Sequence, residues 1–195
     1  MSETLTIEIA GRNVADNLAK SESFDRIISI NDVGALPPFN IRDLTNVARL
    51  NFEDILGFEF KYPHTDIYDG PRKHHVEQII RFAQEQEATS LLSHCLAGIS
   101  RSTAAALIFA TVQGHDPDTV LRGMLDKRPI IFPNDVMLIL ADSILDTNLF
   151  EVTKNRMALH AASGSKAYAD MYGLGIGAWG ERVEPLIPEI KKRLL

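Results

Sequence analysis

Short apolar segments alternate with longer amphipathic ones through the first half of the chain. Four segments of about five residues predict strands, because they are rich in β-branched and aliphatic side chains and turn-prone residues follow them. They are residues 5–9, 26–30, 47–52 and 91–94. Residues 13–20 and 71–87 are predicted to be helices, the second with Pro71 in its first turn. Strands that alternate with helices indicate a parallel sheet.

The second half of the chain is predicted to be mainly helical. Helices are expected at residues 101–113, 117–127, 134–146 and 186–194, with Asn134 as the N-cap of the third. The pattern weakens after residue 150, and residues 173–185 are expected to form a glycine-containing loop. We therefore expect an α/β fold with a central, mostly parallel sheet of about four to five strands, helices on both faces, and a helical C-terminal part. Residues 1–150 are predicted to be one domain, with 151–195 as an extension packed on it.

Composition narrows the classes of function. The 195 residues are 45% hydrophobic and 24% charged, as in ordinary globular proteins, and the net charge of −6 argues against a nucleic-acid partner or a membrane surface. No apolar run reaches the ~18 residues that a membrane span needs. The start of the chain lacks the pattern of a signal peptide. A single cysteine cannot form an internal disulfide, so we expect a reducing, cytoplasmic location.

That cysteine lies in the stretch HCLAGISRS, residues 94–102, where a predicted strand passes through a loop into a predicted helix. The N–H groups of residues 96–101 can turn inward and, with the start of the helix, form an anion site. Gly98 allows a backbone conformation that a Cβ would forbid. Arg101 can match two phosphate oxygens with its planar guanidinium. The stretch predicts a phosphate site with Cys95 at its floor, able to form a phosphocysteine that water hydrolyses.

From residue 50 to 106 the sequence resembles the cysteine-dependent protein tyrosine and dual-specificity phosphatases. The stretch AGISRSTAAA, residues 97–106, is similar to their bacterial, dual-specificity-like members. The resemblance implies hydrolysis of phosphotyrosine in proteins, with phosphoserine and phosphothreonine open as further substrates, and it implies no cofactor and no metal. It implies Cys95 as the nucleophile, Arg101 as the residue that binds phosphate and stabilises the transition state, and His94 and Ser102 as supporting residues. The predicted phosphate-binding residues are Leu96, Ala97, Gly98, Ile99, Ser100 and Arg101.

The general acid is less directly indicated. Members of the family use an aspartate on a loop before the motif, and three candidates precede Cys95: Asp54, Asp66 and Asp69. Asp54 ends the third predicted strand in an aspartate–isoleucine pair, as in the bacterial relatives, and is our preferred acid. Asp66 matches the shorter spacing of the simpler dual-specificity enzymes, so it stays open as the alternative.

Two other functions compete with this interpretation. The first is a phosphatase of inositol phosphates or other small phosphomonoesters, which is disfavoured because residues 96–100 contain no lysine to bind a polyanion. The second is a non-catalytic phosphate-binding module, which the intact Cys95, Arg101 and Ser102 argue against. No metal site is expected at His74 and His75, since adjacent helical side chains point about 100° apart.

Overall fold

The computed structural model describes residues 4–57, 68–163 and 182–195, and a four-stranded sheet lies at its centre. The strands are β1 (Thr6–Gly11), β2 (Arg26–Asn31), β3 (Val47–Asn51) and β4 (Ser90–Cys95). Their order in the sheet is β1-β4-β2-β3, and every neighbouring pair is parallel. All six residues of β2 are buried, as expected for a strand whose sheet is covered on both faces.

Helices cover both faces of this sheet, so the predicted α/β architecture is confirmed. The helices are α1 (Arg12–Ser21), α2 (Lys73–Glu85), α3 (Arg101–Val112), α4 (Pro117–Lys127), α5 (Asp135–Leu145), α6 (Leu149–Ala162) and α7 (Ile187–Leu194). Successive strand residues point to opposite faces. Ile27 and Leu92 accordingly pack in one cluster with Ala15 of α1, whereas Ile28 and Leu91 belong to the larger cluster beneath α2–α5. None of the helices in the described ranges is long and apolar enough to cross a membrane.

Helix α2 begins two residues later than the sequence predicts. Arg72 has an extended backbone, with φ −127° and ψ 163°, and is the N-cap, so Pro71 lies before the helix rather than in its first turn. His75 Nδ1 accepts the backbone N–H of Arg72 at 3.2 Å. This is the reciprocal bond of a capping box, made by a histidine in place of the usual glutamate or glutamine.

Helix α6 begins where the sequence pattern weakens, and we did not predict it. Its buried residues are Leu149, Phe150, Thr153 and Met157, a narrow stripe interrupted by a polar side chain. The free N–H groups at its start are bound by Asp142 of α5, whose Oδ1 accepts from Leu149 at 2.5 Å and whose Oδ2 accepts from Phe150 at 3.0 Å. The residue at the N-cap position, Asn148, makes no side-chain capping bond itself, so the start of α6 is stabilised from the preceding helix.

The parallel pairing brings the carboxyl ends of all four strands to one edge of the sheet. Gly11 pairs with Cys95 at the carboxyl ends of β1 and β4, and Asn31 pairs with Asn51 at those of β2 and β3. The segments that follow the strands therefore lie side by side, and the loop after β4 lies between those after β1 and β2. In open parallel sheets this edge is where ligands bind.

Candidate active site

The loop between β4 and α3 is held by donors that approach its carbonyl groups from outside. The four bonds are Arg12 N–H to Leu96 O at 3.1 Å, Arg128 Nη2 to Ala97 O at 3.4 Å, Phe132 N–H to Ile99 O at 2.9 Å and Asn134 N–H to Ser100 O at 3.3 Å. The C=O and N–H of one planar trans peptide unit point in opposite directions. The N–H groups of residues 97, 98, 100 and 101 therefore face the inside of the loop, which makes a concave site for an anion.

Gly98 is the point of closest approach between this loop and β1. Its φ of +70° lies in the left-handed region, and its N–H donates to Cys95 Sγ at 3.3 Å. A Cβ at this position would lie 2.3 Å from the carbonyl carbon of Ala10. Any other residue would displace the loop, because both the backbone conformation and the space favour glycine.

Cys95 lies at the base of the loop. Its residue is 1% exposed, while the neighbouring Leu96 is 59% exposed on the outer rim. Besides the Gly98 N–H, Ser102 Oγ lies 3.4 Å from the sulfur. The thiol group thus has two hydrogen-bonding neighbours within the first turn of α3 and the loop that precedes it.

The guanidinium of Arg101 is buried beside the loop, with the residue 3% exposed. Its Nη1 donates to Phe52 O at 2.5 Å and lies 2.8 Å from Asp32 Oδ1. Its Nε is 3.8 Å from Asp54 Oδ2, and within the described ranges it has no hydrogen-bond partner. A buried N–H without an acceptor is unfavourable. One side of the guanidinium is therefore anchored, and the Nε side is available to an anion.

Asp54 is the acid candidate that the structure places against the loop. Its Oδ1 accepts from Ser100 Oγ at 2.7 Å and from Asn134 Nδ2 at 2.9 Å, and its side chain is 35% exposed. The side chain of Asp69 is exposed, and its backbone carbonyl accepts the N–H of Glu53 at 2.8 Å. Asp66 lies outside the described residues.

His94 is a buried neutral residue behind the loop. It is fully buried, and its Nε2 lies 2.8 Å from Ser29 Oγ on the adjacent β2. Burial lowers the pKa of His94 from 6.5 to about 4, against a smaller opposing effect of the Cys95 backbone. The imidazole is therefore uncharged at neutral pH. It links β4 to β2 and brings no positive charge to the sulfur.

Three residues at this edge were not assigned to the site from the sequence. Asp32 follows β2, the strand beside β4, and that position could have indicated it. Arg128 links Ala97 O to Ile9 O, at 3.4 and 3.2 Å, across 31 and 119 positions of the chain, so no local pattern points to it. Asn134 is confirmed as the N-cap of α5, with Oδ1 accepting from Met137 N–H at 3.0 Å, but its contact with Asp54 was not predicted.

The histidines of α2 are engaged with ring neighbours. His75 stacks on Phe52 with ring centroids 4.6 Å apart, and His74 lies 3.9 Å from His75, centroid to centroid. The Nδ1 of His75 is already occupied by the N–H of Arg72. In the ranges that the structure covers, no group of three or more histidine, cysteine, aspartate or glutamate side chains is arranged to hold a metal ion.

Comparison with known proteins agrees with the motif around Cys95. No protein-family model matches the chain. Over 115 residues the chain is 33% identical to a probable dual specificity protein phosphatase of Dictyostelium discoideum. The predicted resemblance to the cysteine-dependent dual-specificity phosphatases is confirmed. The match covers 53% of this chain, which spans only 29% of the length of that dual-specificity phosphatase.

Two solved structures with low sequence identity are also similar. The crystal structure of Tk-PTP in the active form is 16% identical, with a TM-score of 0.46, and the match covers 77% of this chain and 93% of that one. The crystal structure of PTPMT1 in complex with PI(5)P is 17% identical, with a TM-score of 0.44, and the match covers 79% and 94% of the two chains.

Proposed function

We propose that the protein is a phosphomonoester hydrolase that acts on phosphotyrosine in proteins through a cysteinyl-phosphate intermediate. One observation carries the proposal. Donors bind the carbonyl groups of the loop after β4 from outside, so that its N–H groups turn inward on the side of Cys95, and within the described ranges the neighbouring Nε of Arg101 has no hydrogen-bond partner. Inward N–H groups and a guanidinium suit a dianionic phosphoryl group, and the sulfur below them is placed to attack phosphorus.

The first step transfers the phosphoryl group to sulfur. The inward N–H groups and Arg101 hold the phosphate oxygens, and the Cys95 thiolate forms the S–P bond while the P–O bond to the tyrosyl oxygen breaks. That oxygen leaves as a phenol if it receives a proton, and we assign the proton to Asp54. The contacts of the Asp54 carboxyl support this assignment, because Ser100 of the loop donates a hydrogen bond to it and the Nε of Arg101 lies 3.8 Å from it.

The second step returns the enzyme to its starting state. Water attacks the phosphorus of the phosphocysteine and gives a proton to Asp54, the S–P bond breaks, and inorganic phosphate leaves. Ser102 Oγ, 3.4 Å from Cys95 Sγ, is placed to donate to the departing thiolate. The hydroxyl therefore lowers the barrier of this step rather than that of the first.

The organisation of the chain and its location belong to the same proposal. We assign residues 1–150 to the phosphatase domain and 151–195 to an extension of it. In support, α6 packs against α4 and α5, and α7 packs against α5. We also propose a cytoplasmic protein, on the ground that its single cysteine stays reduced there.

A substrate panel tests the proposed function. The wild type is expected to hydrolyse para-nitrophenyl phosphate in the presence of EDTA. We expect kcat/KM for a phosphotyrosine peptide to exceed that for inositol phosphates by at least about tenfold, because the loop is apolar apart from Arg101 and Ser100. The exposed Leu96 offers an apolar surface to an aryl group at the rim of the loop. A preference for inositol phosphates would make the protein a small-molecule phosphatase, and phosphate binding without turnover would make it a binding module.

Replacing Asp54 with asparagine tests the general acid. A general acid contributes typically 10²–10⁴-fold, so Asp54→Asn is expected to slow phosphotyrosine hydrolysis by about 10² or more. Hydrolysis of para-nitrophenyl phosphate should fall much less, because its leaving group needs little protonation. The basic limb of the pH–rate profile should also flatten. Asp66→Asn and Asp69→Asn are the matched controls, and the leaving-group effect in Asp66→Asn instead would transfer the role to that residue.

A further inference from the structure

Asn134 is fully buried at the start of α5, and its side-chain amide is completely occupied. The oxygen is identified by the Met137 N–H that donates to it at 3.0 Å. The amide nitrogen therefore faces the segment after β3, where it donates to Asp54 Oδ1 at 2.9 Å and to Ile55 O at 3.0 Å. An N-cap needs only the oxygen, so both amide hydrogens are left for the Asp54 segment.

The backbone of Asn134 binds the loop between β4 and α3. Its N–H donates to Ser100 O at 3.3 Å, so one residue joins the phosphate loop to the carboxyl of Asp54. The next residue, Asp135, is also fully buried, and its Oδ1 accepts the N–H of Gly57 at 2.7 Å. The N-cap and the first residue of α5 thus hold residues 54–57 at three points. A larger residue at Gly57 would collide with Val183, whose Cγ1 lies 2.8 Å from the Cβ position.

We propose that Asn134 is a positioning residue for the leaving-group proton transfer, and that it sets the place of the Asp54 carboxyl relative to the bound phosphate. This rests on the proposed function, in which Asp54 is the general acid. Proton transfer needs the acid within hydrogen-bond reach of the leaving oxygen, and a misplacement of about 1 Å costs on the order of 10²-fold in rate. Asn134 holds the Asp54 carboxyl in position because its two amide hydrogens bind that carboxyl and the carbonyl of Ile55.

The test separates this role from helix capping. Serine is as good an N-cap as asparagine but has no amide donors, so Asn134→Ser keeps the start of α5 and releases Asp54. We expect kcat for phenyl phosphate, whose phenolate is a poor leaving group, to fall about tenfold or more. The kcat for para-nitrophenyl phosphate should change by about twofold at most. The Kd for vanadate should stay within about twofold of the wild type, because the phosphate loop itself is unchanged.

Asp116→Ser is the matched control, since Asp116 caps α4 by accepting the Thr119 N–H at 2.8 Å and is given the same new residue. Its ratio of the two kcat values should equal that of the wild type. Asn134→Asp is the second variant: it keeps the size and the capping oxygen but turns a carboxylate oxygen toward Asp54. It should show the same selective loss as Asn134→Ser, to at least the same extent, and thermal unfolding confirms that each variant is folded.

The outcomes distinguish the inference from the proposed function. If both Asn134 variants kept the wild-type ratio of the two kcat values, whether or not both values fell, the positioning role would be overturned and Asn134 would be only a helix cap. If Asp54→Asn also leaves the ratio unchanged, Asp54 is not the acid, and the role of Asn134 falls with it while the phosphatase activity stands. No turnover by the wild type would overturn both.

Discussion

Replacing Cys95 with serine is expected to abolish turnover while phosphate analogues still bind. A serine hydroxyl is a far weaker nucleophile than a thiolate, and loss of a catalytic nucleophile lowers kcat by on the order of 10⁴–10⁶-fold. The inward N–H groups of the loop and the guanidinium of Arg101 are unchanged in this variant. Vanadate or tungstate should therefore bind with nearly the affinity of the wild type, as isothermal titration calorimetry would measure.

The control for this variant is Leu159→Ala, which removes an exposed side chain of α6 and leaves the loop after β4 unchanged. It should retain turnover of para-nitrophenyl phosphate. Trapping the phosphorylated protein from a rapidly quenched reaction, followed by peptide mapping, should place the phosphate on Cys95. Turnover close to the wild type in Cys95→Ser, or a phosphate on another residue, would exclude the cysteinyl-phosphate mechanism.

Replacing Arg101 with lysine is expected to lower kcat/KM by about 10³-fold and, unlike the cysteine variant, to weaken vanadate binding as well. The guanidinium has enough donors to bind Phe52 O and Asp32 through Nη1 and an anion through its Nε side. A lysine ammonium carries the same charge, but its donors converge on one atom and cannot reach both sets of partners. The loss measures the two-pronged contact rather than the charge.

Arg156→Lys provides the control for this substitution. Arg156 binds Asp118 through two nitrogens, so it makes a similar forked contact with a carboxylate, between α6 and α4. Its replacement should leave turnover and vanadate binding unchanged. If Arg101→Lys retained wild-type kcat/KM and vanadate affinity, the guanidinium would have no part in phosphate binding.

The sequence by itself determined the sheet, most of the helices and the loop between β4 and α3, because each has a local signal. The strands are short runs of β-branched and aliphatic residues, and their alternation with helices implies parallel pairing. The stretch from Cys95 to Arg101 combines a strand end, a glycine and a helix start within seven residues. The position of Gly98 requires a glycine, because the backbone there is left-handed and lies against Ala10. The local motif already indicates this role for the glycine.

The tertiary structure decided which distant residues surround that loop. Asp54 contacts Ser100 and Asn134 across 46 and 80 positions of the chain, and spacing along the sequence does not determine such contacts. The start of α6 depends in the same way on Asp142 of the preceding helix. Local patterns report a residue's own backbone preference, whereas the distant partners of a carboxylate or an amide are set by how strands and helices pack. For that reason the sequence left three candidates for the acid, and the contact of Asp54 with Ser100 became visible only in the tertiary structure.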